Sequence, residues 1–317
     1  MNFMRKMMID STKEIKSNSI LVDSILSLTN KDNEILKIAD NPHILITKNK
    51  IKHLAYIPGF SSSFNENADI KKILSDLEAL KIDSAIFQFL SKKSVENLIM
   101  ECEASNIYLT KYDSKQISFI NTQESIDLIL KKLKYENRRL VGKFFHHDLI
   151  KFSFNYDRKF FNLYQKRANE KNYTESYIFS KEDFEKLSTF DEIIFISLYF
   201  EENFIGGSFF REIYNKNKII RLDYLLTAIE RDKKILKNMR KPSNLILWKA
   251  YNYAIDRNIP LVNLGGGITE NDSLFNYKIN MGGEESFFYR CRMLNKKSKL
   301  YPNLMLRLNS INFPFAN

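Results

Sequence analysis

The 317-residue chain has only two cysteines, Cys102 and Cys291, and they lie far apart in the sequence. Neither belongs to a CxxC pair, so the sequence gives no basis for a disulfide framework or a zinc site. Apolar runs such as IIFISLYF at 193–200 are far shorter than the roughly 20 residues of a membrane-spanning helix. The first residues also lack the apolar centre and the cleavage site of a secretory signal. These absences lead us to expect a cytoplasmic protein without stable membrane insertion.

Glycine is scarce too, because the chain has nine, and five of them fall between residues 262 and 283. Gly265, Gly266 and Gly267 are consecutive, and they follow the apolar run IPLVNL at 259–264. This stretch has neither the GK[ST] of a P-loop nor a GxGxxG turn. A strand, a glycine turn and a helix in this order can bring backbone N–H groups close to an anion. A tight turn without a ligand is the alternative that the pattern leaves open.

Length and charge suggest two domains with different electrostatics. A chain of 317 residues suits two domains of roughly 100–200 residues each, and we expect them at 1–150 and 151–317. The net charge of +11 divides into +3 for the first of these ranges and +8 for the second. A basic second half favours nucleic acid, an anionic lipid surface or a phosphorylated small molecule as partner. A Lys- and Asn-rich genome would produce the same composition.

Hydrophobic periodicity predicts a mixed α/β chain. In the first domain it predicts helices over 69–80 and 94–105, and strands within 43–58, 83–90 and 106–121. A basic helix then leads into a linker candidate at 136–157.

The second domain has the more distinct pattern. Helices over 158–171 and 181–190 precede three apolar runs, which predict an antiparallel meander at 193–200, 204–213 and 218–227. A long helix begins near Pro242, and one buried face is expected from Leu247, Trp248, Tyr251, Ala254 and Ile255. Next come a strand at 259–264, the glycines, and a last helix capped near Asp272 and Ser273.

Several polar groups are candidates for chemistry. The loop RDKKILKNMRK at 231–241 has six basic residues and one acid, and it could deliver charge to a phosphate at the following helix; a solvated charge run is the alternative. Asp223 and Tyr224 interrupt an apolar strand and could serve proton transfer; such groups are more often satisfied by hydrogen bonds at a sheet edge. The adjacent His146 and His147 have no third ligand at useful spacing, so no metal is expected.

The order meander, loop, helix, strand resembles the core of the GNAT acetyltransferase superfamily. The segments SNLILWKAYNYAIDRNIPLVNLGGGI and DSLFNYKINMGG narrow the resemblance to its FemAB-like branch, together with the upstream ENRRLVGKF and LYFEENFIGGSFF. The match covers residues 124–317. The first domain fits as a degenerate first GNAT-like unit, so the expected fold is a mixed α/β sheet in two such units.

The resemblance implies acyl transfer to an amine without a metal. It places Lys278 near the transferring carbonyl, with an exposed helix lysine as the alternative, and Asp223 and Tyr224 are the candidate proton acceptors. The usual glycine-containing pyrophosphate loop is absent, so donor phosphates are expected at the positions that replace it, Arg240, Lys241, Ser243 and Asn244. Substrate contacts are expected at Gly265, Gly266, Gly267 and Arg139.

The resulting hypothesis is an enzyme of cell-envelope polysaccharide biosynthesis. It would move an acyl group, acetyl above all, from acyl-CoA to the amine of a nucleotide-linked sugar or a related phosphorylated precursor. Aminoacyl-tRNA is the alternative donor, as in peptidoglycan-type aminoacyltransferases, although no long coiled-coil insertion is visible in the sequence. A non-catalytic protein that binds an anion or RNA on the same fold is the hypothesis from a different class.

Overall fold

The computed structural model describes residues 33–36, 44–48, 53–57, 70–79, 82, 84–89, 92–103, 105, 107–172, 179–215, 218–232, 239, 241–267 and 272–295. The chain forms two compact units, residues 116–287 and a first unit made from residues 1–115 with 288–317. The predicted boundary at residue 150 therefore falls inside the second unit. None of the described helices is long and apolar enough to cross a bilayer.

The first unit has a mixed sheet with two helices. Its strands follow the order β1-β2-β3-β4-β11, and only β3 and β4 are parallel. The predicted helices and strands of this unit are confirmed, whereas β1 and β11 were not predicted. The elements are β1 (Asn33–Leu36), β2 (Ile44–Lys48), β3 (His53–Ile57), α1 (Ile70–Ala79), β4 (Ser84–Phe89), α2 (Lys92–Glu103), the start of β5 (Ile107–Asn121) and most of β11 (Glu284–Asn295).

The second unit is built on the sheet order β5-β10-β9-β8-β7-β6. Strands β6 to β9 are antiparallel neighbours, which confirms the predicted meander, and β10 runs parallel to β9. Its elements are α3 (Ile126–Lys132), α4 (Tyr135–Phe144), β6 (Ile150–Ser153), α5 (Lys159–Glu170), α6 (Lys181–Leu187), β7 (Ile193–Phe200), β8 (Asn203–Asn215), β9 (Lys218–Ile229), α7 (Pro242–Asp256), β10 (Leu261–Gly266) and α8 (Ser273–Asn280).

Helix α7 lies in the core of this unit. Pro242 occupies its first turn, as predicted. The prediction of a single buried face is too narrow, since Leu245, Ile246 and Ala250 are fully buried as well. The helix packs against the sheet on one side and meets α4 on another, where Asn244 bonds Asn137. A helix enclosed in this way is apolar around most of its circumference.

The opposite face of the sheet packs against α5 and α6 through aromatic rings. Phe160, Phe184 and Phe209 form a cluster whose centroids lie 5.2 to 5.6 Å apart. Phe195 lies 4.5 Å from Phe209 at a 59° angle, within the range of favourable ring packing. The two helical layers therefore leave β9 in the middle of a sheet that is covered on both faces.

The linker predicted at 136–157 is wrong. Most of this range forms α4 and β6, and its apolar residues Val141, Phe144 and Ile150 are buried in the main core of the second unit. Ile129 of α3 and Leu133, the residue that caps its C-terminus, join the same core. The basic residues that suggested a linker lie on the exposed side of a short amphipathic helix.

Candidate active site

Strands β9 and β10 meet over a very short distance. They pair only through Leu222 with Val262 and Asp223 with Asn263. Beyond Asp223, β9 continues to Ile229 without further pairing to β10. Among the described residues, no strand pairs with β9 beyond Asp223 on this side, and such an edge offers backbone N–H and C=O groups to an extended ligand.

A β-bulge marks the start of this unpaired edge. Tyr224 pairs with Phe210 and Leu226 with Phe209, so that Leu225 is an extra residue in β9. Bulges of this kind are common beside active sites, where they re-aim side chains. Residues 224–227 are all half-buried, although the strand lies in the middle of the sheet. The bulge therefore lies at the point where β9 loses its register with β10.

The three consecutive glycines lie at the end of β10, and packing explains each of them. Gly265 has a φ of +72°, a region that favours glycine, and its N–H donates to Asn263 Oδ1 at 2.8 Å. A Cβ on Gly266 would overlap the Gln116 carbonyl oxygen, and one on Gly267 would overlap the Asp272 carboxylate. The glycines therefore allow close approach of the chain to itself, as the tight-turn alternative supposed.

Lys278 is buried beside these glycines. Asp272 caps α8 by accepting the Phe275 N–H at 2.7 Å, which confirms the predicted helix start. Nearly two turns later, Lys278 Nζ donates to the Gly266 carbonyl oxygen at 2.5 Å, and only 5% of the residue is exposed. The alternative of an exposed helix lysine is therefore wrong.

The burial changes the acid–base properties of Lys278. Desolvation lowers the pKa of its ammonium group from 10.5 to about 8, and the Asp272 carboxylate opposes this shift. The group therefore stays mainly charged at neutral pH, but it loses its proton far more easily than a surface lysine does. A buried ammonium at the end of β10 can stabilise negative charge on a carbonyl oxygen that reaches it.

Asp223 and Tyr224 do not face the same side of the sheet, because neighbouring strand residues point in opposite directions. The Asp223 carboxylate accepts from Arg221 Nε at 2.5 Å and from Nη2 at 3.0 Å, and both residues are buried. Both oxygens of this carboxylate are therefore engaged by one guanidinium. Tyr224 packs against Phe210, with 5.5 Å between the ring centroids.

The start of α7 holds the residues expected to bind donor phosphates, and they differ in placement. Lys241 is exposed and caps the helix with a φ of 53°. Ser243 Oγ accepts from the Tyr277 hydroxyl at 3.1 Å. Asn244 is fully buried, and its Nδ2 donates to Asn137 Oδ1 at 3.0 Å, so it cannot reach a ligand outside the core without a rearrangement.

The remaining expected residues are Arg240 and Arg139. Arg240 and most of the basic loop lie outside the described residues. Arg139 lies exposed on α4, two residues after the buried Asn137. The structure thus brings together Lys278, Gly265 and Gly266, and it links Ser243 to them through Tyr277.

Sequence reasoning missed two residues of this cluster. Tyr277 joins α8 to the start of α7, and burial raises the pKa of its hydroxyl. Ser118 of β5 pairs in register with Gly265, is fully buried, and its hydroxyl has no hydrogen-bond partner within the described residues. The position of Tyr277 directly before Lys278 was the available signal for the first; no pattern in the sequence marks the second.

Solved structures with the same fold are found, although no family model and no curated protein sequence matches the chain. FemX superposes with a TM-score of 0.60 and 10% identity, covering 84% of this chain and 90% of FemX. A C-terminal DUF2156 domain from Agrobacterium fabrum gives 0.57 and 10%, covering 92% and 93%. L-PGS from Bacillus licheniformis gives 0.56 and 12%, covering 96% of both chains.

These likenesses and the mixed sheet define the fold of the protein. It is a GNAT-like mixed α/β fold with a parallel β9–β10 pair. Within that fold it has the FemAB-like form, which confirms the resemblance read from the sequence. Two tandem GNAT-like units, with the first one degenerate, remain a prediction.

Proposed function

We propose that the protein is an N-acyltransferase that carries an acyl group from acyl-CoA to the amine of a nucleotide-linked sugar or a related phosphorylated precursor. Two observations support this function best: the separation of β9 from β10 after Asp223, and the Lys278 ammonium buried at the end of β10. The pantetheine arm of CoA is a linear chain with amide groups, and such a chain can pair with a free strand edge. The thioester carbonyl would then lie near the Lys278 ammonium.

Acyl transfer from a thioester to an amine involves three changes in bonding and charge. A neutral amine attacks the thioester carbonyl carbon, the carbonyl oxygen becomes negative, and the C–S bond then breaks to leave a CoA thiolate. The Lys278 ammonium stabilises the oxyanion by a charge-assisted hydrogen bond. The proton of the attacking amine passes through water to the thiolate, so that the products are an amide and free CoA. The proton route is drawn through water because both Asp223 carboxylate oxygens are engaged by Arg221.

Aminoacyl-tRNA is the second candidate donor, and a specific observation favours it. The start of α7 lacks a glycine loop, and the side chains of Ser243 and Asn244 are engaged by Tyr277 and Asn137. Few groups are therefore left there for a pyrophosphate. The Agrobacterium fabrum domain with this fold is named for a lysylphosphatidylglycerol synthetase, a name that denotes transfer of an amino acid. In both cases the chemistry at the carbonyl is the same.

A donor screen tests the proposal. Acetyl-CoA, CoA and aminoacyl-tRNA are titrated into the protein by calorimetry at two salt concentrations, and CoA release is followed in the presence of UDP-amino sugars. Transfer-RNA binding weakens steeply with salt because many phosphates are contacted, whereas CoA binding changes much less. Donor binding with acyl transfer supports the enzyme. RNA binding without transfer from either donor would support the non-catalytic alternative.

A further inference from the structure

A row of rings and cations runs along β6 and the outer side of α7, at the last strand of the sheet of the second unit. Neighbouring members lie 5.3 to 5.9 Å apart, measured between ring centroids or from cation to centroid. We call this set the edge row. Its members, in spatial order, are Phe145, Phe152, Lys249, Phe154, Tyr253 and Arg257.

The edge row is fixed in position and partly exposed, because Phe154 and Arg257 are exposed and its other members are half-buried. Phe154 is 45% exposed, and the Arg257 side chain is 53% exposed. The Tyr253 hydroxyl donates to Glu212 Oε1 at 2.6 Å, and Arg257 Nη2 lies 3.6 Å from the same oxygen. Because Glu212 is buried, its contacts with Tyr253 and Arg257 fix one end of the edge row to the interior of the unit. The rings are therefore preorganised, which lowers the entropy cost when a ligand binds them.

The charge of the edge row is positive. Lys249 lies over the rings of Phe152 and Phe154, and it forms no ion pair with any described residue. Glu212 is the carboxylate that the row contacts, and only 2% of it is exposed. An approaching ligand thus meets two cations and several ring faces at this surface.

We propose that the edge row binds a single-stranded segment of RNA. In such a segment, flat bases alternate with phosphates, and proteins bind it with aromatic rings that stack on bases and cations that meet the phosphates. The alternation of rings and cations along one line matches that pattern. A membrane surface fits less well, since it requires several apolar side chains that project together, whereas here Phe154 is the exposed ring and Tyr253 is tethered by its hydroxyl.

The proposal is independent of acyl transfer. The edge row lies on β6 and on the part of α7 remote from Pro242, whereas the candidate active site lies at β9, β10 and the start of α7. RNA binding is measured without any donor or acceptor. A failure of this proposal would therefore leave the acyltransferase proposal unaffected, and the reverse holds as well.

Fluorescence anisotropy with a labelled single-stranded RNA of about 12 nucleotides tests the proposal, since site sizes of this order are typical. Phe154→Ala is expected to weaken binding about tenfold, because one stacking surface is removed. The double variant Lys249→Gln/Arg257→Gln is expected to reduce the slope of log affinity against log salt by about 1.4, that is, about 0.7 for each phosphate that the protein no longer neutralises.

Two variants serve as matched controls. Phe287→Ala removes another exposed aromatic ring, on β11 and outside the edge row, and Lys151→Gln removes a cation from β6 that pairs with Glu202. Both are expected to bind RNA like the wild type, and all variants should keep the wild-type melting temperature. Unchanged affinity and salt slope in the edge-row variants would overturn the proposal. The proposal would also be overturned if the wild-type protein did not bind RNA, or if it bound phosphatidylglycerol vesicles through these residues instead.

Discussion

The Lys278 ammonium lies 2.5 Å from the Gly266 carbonyl oxygen, so that the last turn of α8 is joined to the end of β10. A buried cation with one backbone partner keeps two N–H donors for other acceptors. Its position depends on the glycines, since a Cβ at Gly265 would lie 3.3 Å from Nζ. Helix α8, the glycines at the end of β10 and Lys278 thus depend on one another for their positions.

The pH dependence of stability reports on the buried lysine. Because the folded pKa of Lys278 is about 8 and the ordinary value is 10.5, the unfolded chain holds the proton more tightly. Stability therefore rises as pH increases from about 8 to about 10.5, by about 3 kcal/mol in total. Below about pH 8 both states are protonated, and the desolvation penalty is present in full.

Lys278→Met isolates this contribution. Urea unfolding of both proteins between about pH 7.5 and 9.5 should show the wild type gaining about 2 kcal/mol relative to the variant. Parallel curves for the two proteins would show that Lys278 titrates like a surface lysine, and burial would then have no effect on its pKa.

Gly266→Ala should lower the free energy of unfolding by about 2–4 kcal/mol, because the new methyl group overlaps a backbone carbonyl that cannot move aside easily. Gly142→Ala is the control. Nothing lies within 4 Å of a Cβ at Gly142, which is exposed on α4, so this change should stabilise the protein by about 0.5–1 kcal/mol. Equal effects of the two changes would contradict the close packing of β10 against β5.

Asp223→Asn should destabilise the fold by about 3–5 kcal/mol, because it leaves the buried Arg221 guanidinium without its carboxylate. Asp256→Asn, at an exposed position on α7, should change stability by less than about 0.5 kcal/mol. Thermal unfolding of both variants measures these two changes in stability. An Asp223→Asn protein that keeps full stability but loses acyl transfer would favour the proton-acceptor role instead.

Asn244→Ala should act on stability and leave donor binding unchanged. The change removes the hydrogen bond to Asn137 and leaves a buried acceptor without its donor, which costs about 1–3 kcal/mol. Lys241→Ala, at the exposed cap of the same helix, should have the opposite profile, with weaker donor binding and little loss of stability. Calorimetry well below the melting temperature measures donor affinity in both; weaker donor binding in folded Asn244→Ala would restore the phosphate role.

The sequence was informative where structure depends on local pattern. The meander, the start of α7 at Pro242 and the cap of α8 at Asp272 follow from periodicity and from residue preferences within a few positions. Lys278 was found because it belongs to a sequence pattern shared with the FemAB-like branch. Helix α4 resembles a linker in sequence because its charges are numerous and its buried side is short.

Other features depend on partners that no local pattern reveals. Asn244 is engaged by Asn137, which lies 107 residues earlier in the chain. Gly266 is required by the backbone of Gln116, and the unpaired edge of β9 is visible only once its register with β10 is known. Asp223 seemed available because the sequence does not show that the Arg221 side chain turns back onto it.

The most direct test compares acyl transfer by the wild type and by Lys278→Met at saturating donor, with donor affinity measured separately by calorimetry. If Lys278 stabilises the oxyanion, the variant should bind donor like the wild type and transfer the acyl group at least about 100-fold more slowly. A folded variant that transfers at the wild-type rate would contradict the account, because the buried lysine would then have no part in the chemistry.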